Sequence, residues 1–185
     1  MPTRLSPPVA IAIALPLLLA VTVAAIAITA RVRGIGEPPP PDTGPLAVAP
    51  VESPDASSPE CTALLAALPE QLDGPDGPLS PRPIAQAESL PGVRAWAASP
   101  RPVVLRCGLP RPAELSPTSP LLEVNGVRWL QLDDGLPEPV QVSYIAVDRP
   151  VYVALTLPVD AGSAPLQHVS DVVRETLPAT AVAVR

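Results

Sequence analysis

LLEVNGVRWLQL, residues Leu121 to Leu132, decides the fold. Two apolar-rich runs flank Asn125-Gly126, a pair that favours the two-residue type I′ turn because both central positions need positive φ. Folding the chain about that turn sets Glu123 opposite Arg128 on one side of the ribbon and Leu122 opposite Trp129 on the other. Val124 then faces Val127 beside the turn. Charge meets charge and apolar meets apolar, so the register is internally consistent.

Working outward, Val140 to Val147 and Val151 to Leu157 read as a second hairpin joined about Asp148-Arg149. That register sets Ala146, Tyr144, Val142 and Val140 opposite Val151, Val153, Leu155 and Leu157. The other face pairs Ser143 with Ala154 and Gln141 with Thr156. Arg149 precedes Pro150 and is pushed toward extended angles, so a loop somewhat longer than a tight turn fits better. PVVLRC, Pro102 to Cys107, is a further strand.

Ser163 to Leu177 is an amphipathic helix, with Ser163 as N-cap and Leu166, Val169, Val173 and Leu177 on one face. Pro178 ends it, and Thr180 to Val184 is a final short strand. Upstream, Glu60 to Leu68 is a short helix stopped by Pro69. Leu72 to Pro83 is a turn-rich loop, and Ile84 to Ala98 holds helical turns around Trp96. The order α, antiparallel strands, α, β predicts an α+β fold: a small antiparallel sheet covered by two or three helices.

Cys61 and Cys107 are the two cysteines. Their spacing fits neither a zinc site nor a C-x-x-C redox motif. A disulfide between them would join the start of the first helix to the end of the Pro102–Cys107 strand. The alternative is two unrelated buried thiols. A disulfide needs an oxidising compartment.

Ahead of this domain lie two segments of different character. Val9 to Ala30 is an uncharged run that spans roughly 33 Å as a helix, enough for a hydrocarbon core of about 30 Å. An uncleaved signal anchor and a cleaved signal peptide ending near Ala30 both fit, and the length favours the anchor. Arg4 before the run balances Arg31 and Arg33 after it, so the positive-inside rule gives no orientation. The candidate disulfide breaks that tie in favour of a domain outside the cytoplasm. Residues 34–59 carry eight prolines, four of them consecutive from Pro38 to Pro41. Such a stretch lacks the N–H groups for helix or sheet and reads as an extended spacer. The expected division is a short tail over 1–8, a membrane anchor over 9–30, a disordered Pro-rich linker over 31–59 and an extracytoplasmic α+β domain over 60–185.

Cys61 and its leucines, Trp96, VVLRCGLP at Val103 to Pro110, VNGVRW at Val124 to Trp129 and VDRPVYVAL at Val147 to Leu155 form a series of landmarks. Together they resemble an actinobacterial family known as domain of unknown function 3515, over roughly Pro59 to the C terminus. The resemblance implies a short protein with an N-terminal hydrophobic segment and an extracytoplasmic domain. It implies no catalytic residue.

Composition narrows the function further. Twelve cations, all Arg, stand against 18 acids, a net charge of −6, which excludes the basic face that nucleic-acid binding requires. None of the common nucleophile, metalloprotease, P-loop or dinucleotide motifs is present. His168, the one histidine, points off the apolar helix face and is expected in solvent. Asp133-Asp134 reads as a solvated turn, because adjacent strand residues point to opposite faces. Arg106, Asp148 and Arg149 are the charged groups nearest the apolar strands, and form a candidate ionic or ligand-binding cluster.

No cofactor or metal is expected. The leading expectation is a non-enzymatic module that meets the membrane through residues 9–30 and binds a protein or envelope partner. A carboxylate-dependent envelope hydrolase, a secreted protein after cleavage and a structural accessory subunit are the alternatives.

Overall fold

The computed structural model describes residues 7–33 and 40–184. The chain divides into two units, residues 1–39 and 40–185. The expected tail up to residue 6 and linker residues 34–39 lie outside the described residues.

In the first unit, helix α1 runs from Pro7 to Val32. Its stretch Ala12–Val32 has a mean hydropathy of 2.5 and is long and apolar enough to cross a membrane. Its two threonines satisfy themselves: Thr22 Oγ1 donates to the Leu19 carbonyl and Thr29 Oγ1 to that of Ala25. Internal satisfaction is what a polar group needs in lipid.

The second unit is α+β, as the sequence implies. It contains helix α2 (Pro59–Ala67), a small hairpin of β1 (Leu72–Gly74) and β2 (Gly77–Leu79), and strands β3 (Val93–Trp96), β4 (Val103–Leu109), β5 (Leu121–Val124), β6 (Val127–Asp133), β7 (Gln141–Ala146) and β8 (Tyr152–Pro158). Helix α3 (Ala164–Thr176) closes the succession. Strands β3 to β8 form one antiparallel sheet in the order β3-β4-β8-β7-β6-β5. On one face, Trp96, Leu105, Val153, Leu155 and Trp129 pack with Leu64 of α2 and with Val169 and Val173 of α3. On the other, Leu130, Ile145 and Ala154 are covered by Leu115 and Val182.

The Asn125-Gly126 hairpin has the expected register, with Glu123 opposite Arg128 and Leu122 opposite Trp129. Both turn residues have positive φ, 49° and 79°. Trp129 is fully buried, and its Nε1–H donates to Ser170 Oγ at 3.0 Å. Leu122 is 44 % exposed, so the core around Trp129 comes from α3 and not from its cross-strand neighbour. The reason is position: β5 is the edge strand. A Cβ at Gly126 would find room, with Arg174 Cδ the nearest atom at 3.6 Å. The cost of Gly126→Val is therefore that of φ alone, about 1–2 kcal/mol. A midpoint of denaturation equal to that of the parent would show that the turn has another shape.

Four expectations are corrected. The second hairpin is longer by two residues: Ala146 pairs with Val153, Tyr144 with Leu155 and Ser143 with Thr156. A slip of two preserves both faces, and it frees Asp148 and Arg149 to turn inward. Trp96 lies on strand β3, preceded only by a single 3₁₀ turn at Ala87–Ser89. The Leu72–Pro83 loop contains the β1–β2 hairpin. Thr180 to Val184 forms no strand, because this tail lies along the sheet face, where Arg111 Nε donates to the Ala183 carbonyl.

The expected disordered linker is also corrected. From Asp42 onward it is an arm held on the domain. Arg82 pairs with the Asp42 carboxylate and donates from Nε to the Gly44 carbonyl. Leu46 forms a parallel bridge with Ile84. Asp55 N–H donates to the Gly108 carbonyl, and Ala56 is buried. The prolines make the arm extended, and partners outside the segment hold it there.

Candidate functional site

Cys61 and Cys107 form a disulfide with Cα atoms 5.6 Å apart. Ser58 caps α2 by accepting the Cys61 N–H, so the helix begins beside β4. Both cysteines are buried in the main core. This is a structural crosslink with no free thiol beside it among the described residues.

The three charged residues expected together are separated. Asp148 and Arg149 form a buried pair at 3.1 Å in the β7–β8 loop. Arg149 Nη2 also donates to the Gly126 carbonyl, and Asp148 Oδ1 accepts the Arg128 N–H. The Thr180 N–H reaches the Asp148 carbonyl. The pair therefore ties the β7–β8 loop to the first hairpin and to the C-terminal tail.

Arg106 stands apart on β4, between Val93 and Ala154 and on the sheet face opposite the helices. Its half-buried side chain lines a cavity of about 210 Å³. Pro50, Val51 and Ala56 of the arm form one wall, and Leu90 and Pro91 before β3 form another. Ser53 and Ser89 are its other hydrophilic side chains. Burial lowers the pKa of the guanidinium from its ordinary value. Among the described residues no carboxylate or carbonyl accepts a hydrogen bond from it.

A broader groove of about 470 Å³ lies between Leu65 of α2 and the arm-bearing residues Arg82 and Ile84. Its two arginines are engaged, Arg82 with the arm and Arg94 with the Leu65 carbonyl. Among the described residues neither cavity is lined by an acid.

His168, expected in solvent, instead rests against the small hairpin, with Nδ1 3.3 Å from Asp73 Oδ2. Asp133 and Asp134 shape the β6–β7 loop. Asp134 accepts N–H groups from Val140, Gln141 and Leu136, and these bonds, that from Val140 foremost, hold its carboxyl below the ordinary range. Asp133 accepts the Gly135 N–H.

Sequence reasoning found Arg106 and missed the cavity around it. The available signal was the apolar run LAVAPV, Leu46 to Val51, inside a segment otherwise suited to solvent. A freely solvated spacer has no use for six consecutive apolar residues.

A family model described as a protein of unknown function (DUF3515) matches residues 11–182. The match extends the expected resemblance N-terminally, through the arm and into the apolar helix. No curated protein and no solved structure matches the chain.

Proposed function

We propose, for a chain that belongs to the DUF3515 family of proteins of unknown function, the role of a membrane-tethered binding module. Its α1 anchors it in the membrane, its disulfide domain lies outside the cytoplasm, and it binds a ligand or envelope partner without chemistry of its own. The observation that carries the reading is the buried Cys61–Cys107 bond behind an apolar helix of spanning length. Such a bond persists in oxidising compartments and is rare in the cytosol.

Binding is favoured over hydrolysis by the cavities. A glycosidase-like or protease-like mechanism built on carboxylates needs acids converging on a cleft. The Arg106 cavity offers one cation among apolar walls. That arrangement holds a ligand and supplies no general acid or base.

Protease added to intact spheroplasts should digest the domain and leave a membrane-protected fragment containing α1. Full protection of the domain would overturn the topology. A mature N terminus near Arg31 would overturn the anchor and leave a secreted domain.

A further inference from the structure

We infer that the Arg106 cavity is a carboxylate site, which takes one carboxylate carried on a short apolar stem. The guanidinium would hold the anion, and the walls built by Pro50, Val51 and Leu90 would hold the stem. The inference rests on the reading of the domain as a binding module and names the chemistry of what it binds.

The first support is the state of Arg106 compared with its peers. Five arginines are buried or half-buried among the described residues: 82, 94, 106, 111 and 149. Four of them donate to acceptors of this chain: Arg82 to Gly44, Arg94 to Leu65, Arg111 to Leu115 and Arg149 to Gly126. Arg106 alone of the five has no acceptor among the described residues. A partly desolvated cation without a partner is unfavourable, and a bound anion removes that penalty. Folding alone has no need of a cation at this position, whose strand neighbours are Val93 and Ala154.

The second support is charge balance. Among the described residues the cavity is lined by a single cation and by no acid. One monoanion is neutralised there, whereas a second negative charge on the same ligand would stay uncompensated beside apolar walls. This selects carboxylate over dianionic phosphate, although the guanidinium fork fits both. The third support is size. At about 210 Å³ the cavity is below the usual range for a whole drug-sized ligand, so it accepts a terminal group. A free small carboxylic acid and the C terminus of a peptide present the same chemistry.

The test uses the full chain in detergent micelles, labelled with ¹⁵N-arginine and observed through the side-chain Nε–Hε resonances. Titration with propionate should give a saturable shift of the Arg106 resonance, with those of Arg82 and Arg149 unmoved. Propionamide, the neutral isostere, should give none, and inorganic phosphate should bind at least about tenfold more weakly. In variants that lack the Arg106 resonance, propionate binding is read by isothermal titration calorimetry; Arg106→Lys keeps the charge and loses the fork, and should weaken binding several-fold. By the same calorimetry Arg106→Gln should show no binding, whereas Arg128→Gln on the exposed side of β6 should bind as the parent does.

Unchanged Arg82 and Arg149 resonances report that each variant is folded, so a loss of binding cannot be a loss of structure. A tetrapeptide ending in free alanine, compared with its amide and with propionate, identifies the source. Tighter binding of the free peptide supports a peptide terminus, and equal binding supports a small acid. An unsaturated Arg106 resonance with every carboxylate, an equal response to propionamide, or phosphate binding as tight as propionate would overturn the inference. None of these results depends on membrane orientation, and protease mapping does not depend on Arg106, so the two readings fail separately.

Discussion

Replacing Cys61 by Ser should remove roughly 4 kcal/mol from the unfolding free energy, and replacing Cys107 should remove about the same. The bond joins residues 46 positions apart, and the chain entropy of a loop that long sets the magnitude. Whole-domain stabilities run to about 5–15 kcal/mol, so the loss is a large share. The structure adds a second reason for the direction. Cys61 is fully buried and Cys107 is 1 % exposed, so each Ser would place a hydroxyl in the core around Leu64 and Trp96. The double variant should cost about as much as either single one, because all three remove one bond. Urea denaturation of the full chain, followed by the emission of the buried Trp96 and Trp129, measures this. A loss below about 1 kcal/mol, the scale of an ordinary substitution, would show that the bond does not brace the domain.

Gly108→Ala should be nearly as severe, at about 3 kcal/mol or more, from backbone strain and overpacking together. Gly108 sits at the bulge of β4 with φ +85°. A Cβ there would lie 2.2 Å from Ala56 N and 2.3 Å from the Asp55 carbonyl carbon. These are backbone atoms, which cannot rotate away as a side chain does. The arm must lift at Asp55-Ala56, which breaks the Asp55 N–H bond to the Gly108 carbonyl and disturbs Ser58, the cap of α2. Gly135→Ala is the control. Gly135 also has positive φ, but nothing lies within 4 Å of its Cβ position, so its cost is about 1–2 kcal/mol from φ alone. Equal losses for the two variants would show that the arm is not seated on β4. Because Pro50, Val51 and Ala56 wall the Arg106 cavity, Gly108→Ala should weaken propionate binding as well, while Gly135→Ala should leave it intact.

These expectations show which parts of the molecule were legible before folding. The Asn125-Gly126 hairpin was readable residue by residue, since a two-residue turn leaves one register that pairs like with like. Helix α3 was readable to within a residue or two, because Leu166, Val169 and Val173 repeat at helical spacing and prolines bound the segment. The cysteine pair followed from the count of two, both after the apolar helix, in a domain with few aromatic residues. The Val140–Leu157 hairpin was readable only to its faces, because alternation has period two and a slip of two residues leaves the pattern unchanged. Trp96 was misassigned because Val93 to Trp96 is too short to display a period, and β3 is a strand through its pairing with β4.

The sequence alone therefore determined the apolar helix, the α+β class, the central hairpin, α3 and the partners of the disulfide. Each rests on interactions between near neighbours, or on chemistry that one residue type carries by itself. Tertiary structure decided the rest. It separated Arg106 from Asp148 and Arg149, laid the arm over β4 and left Arg106 beside a cavity without an acceptor among the described residues. The Arg82 to Asp42 pair spans 40 positions, and Leu46 meets Ile84 across a similar distance. No periodicity records such contacts. They depend on the order of strands in the sheet and on which face each strand turns outward, and that order exists only once the sheet has formed.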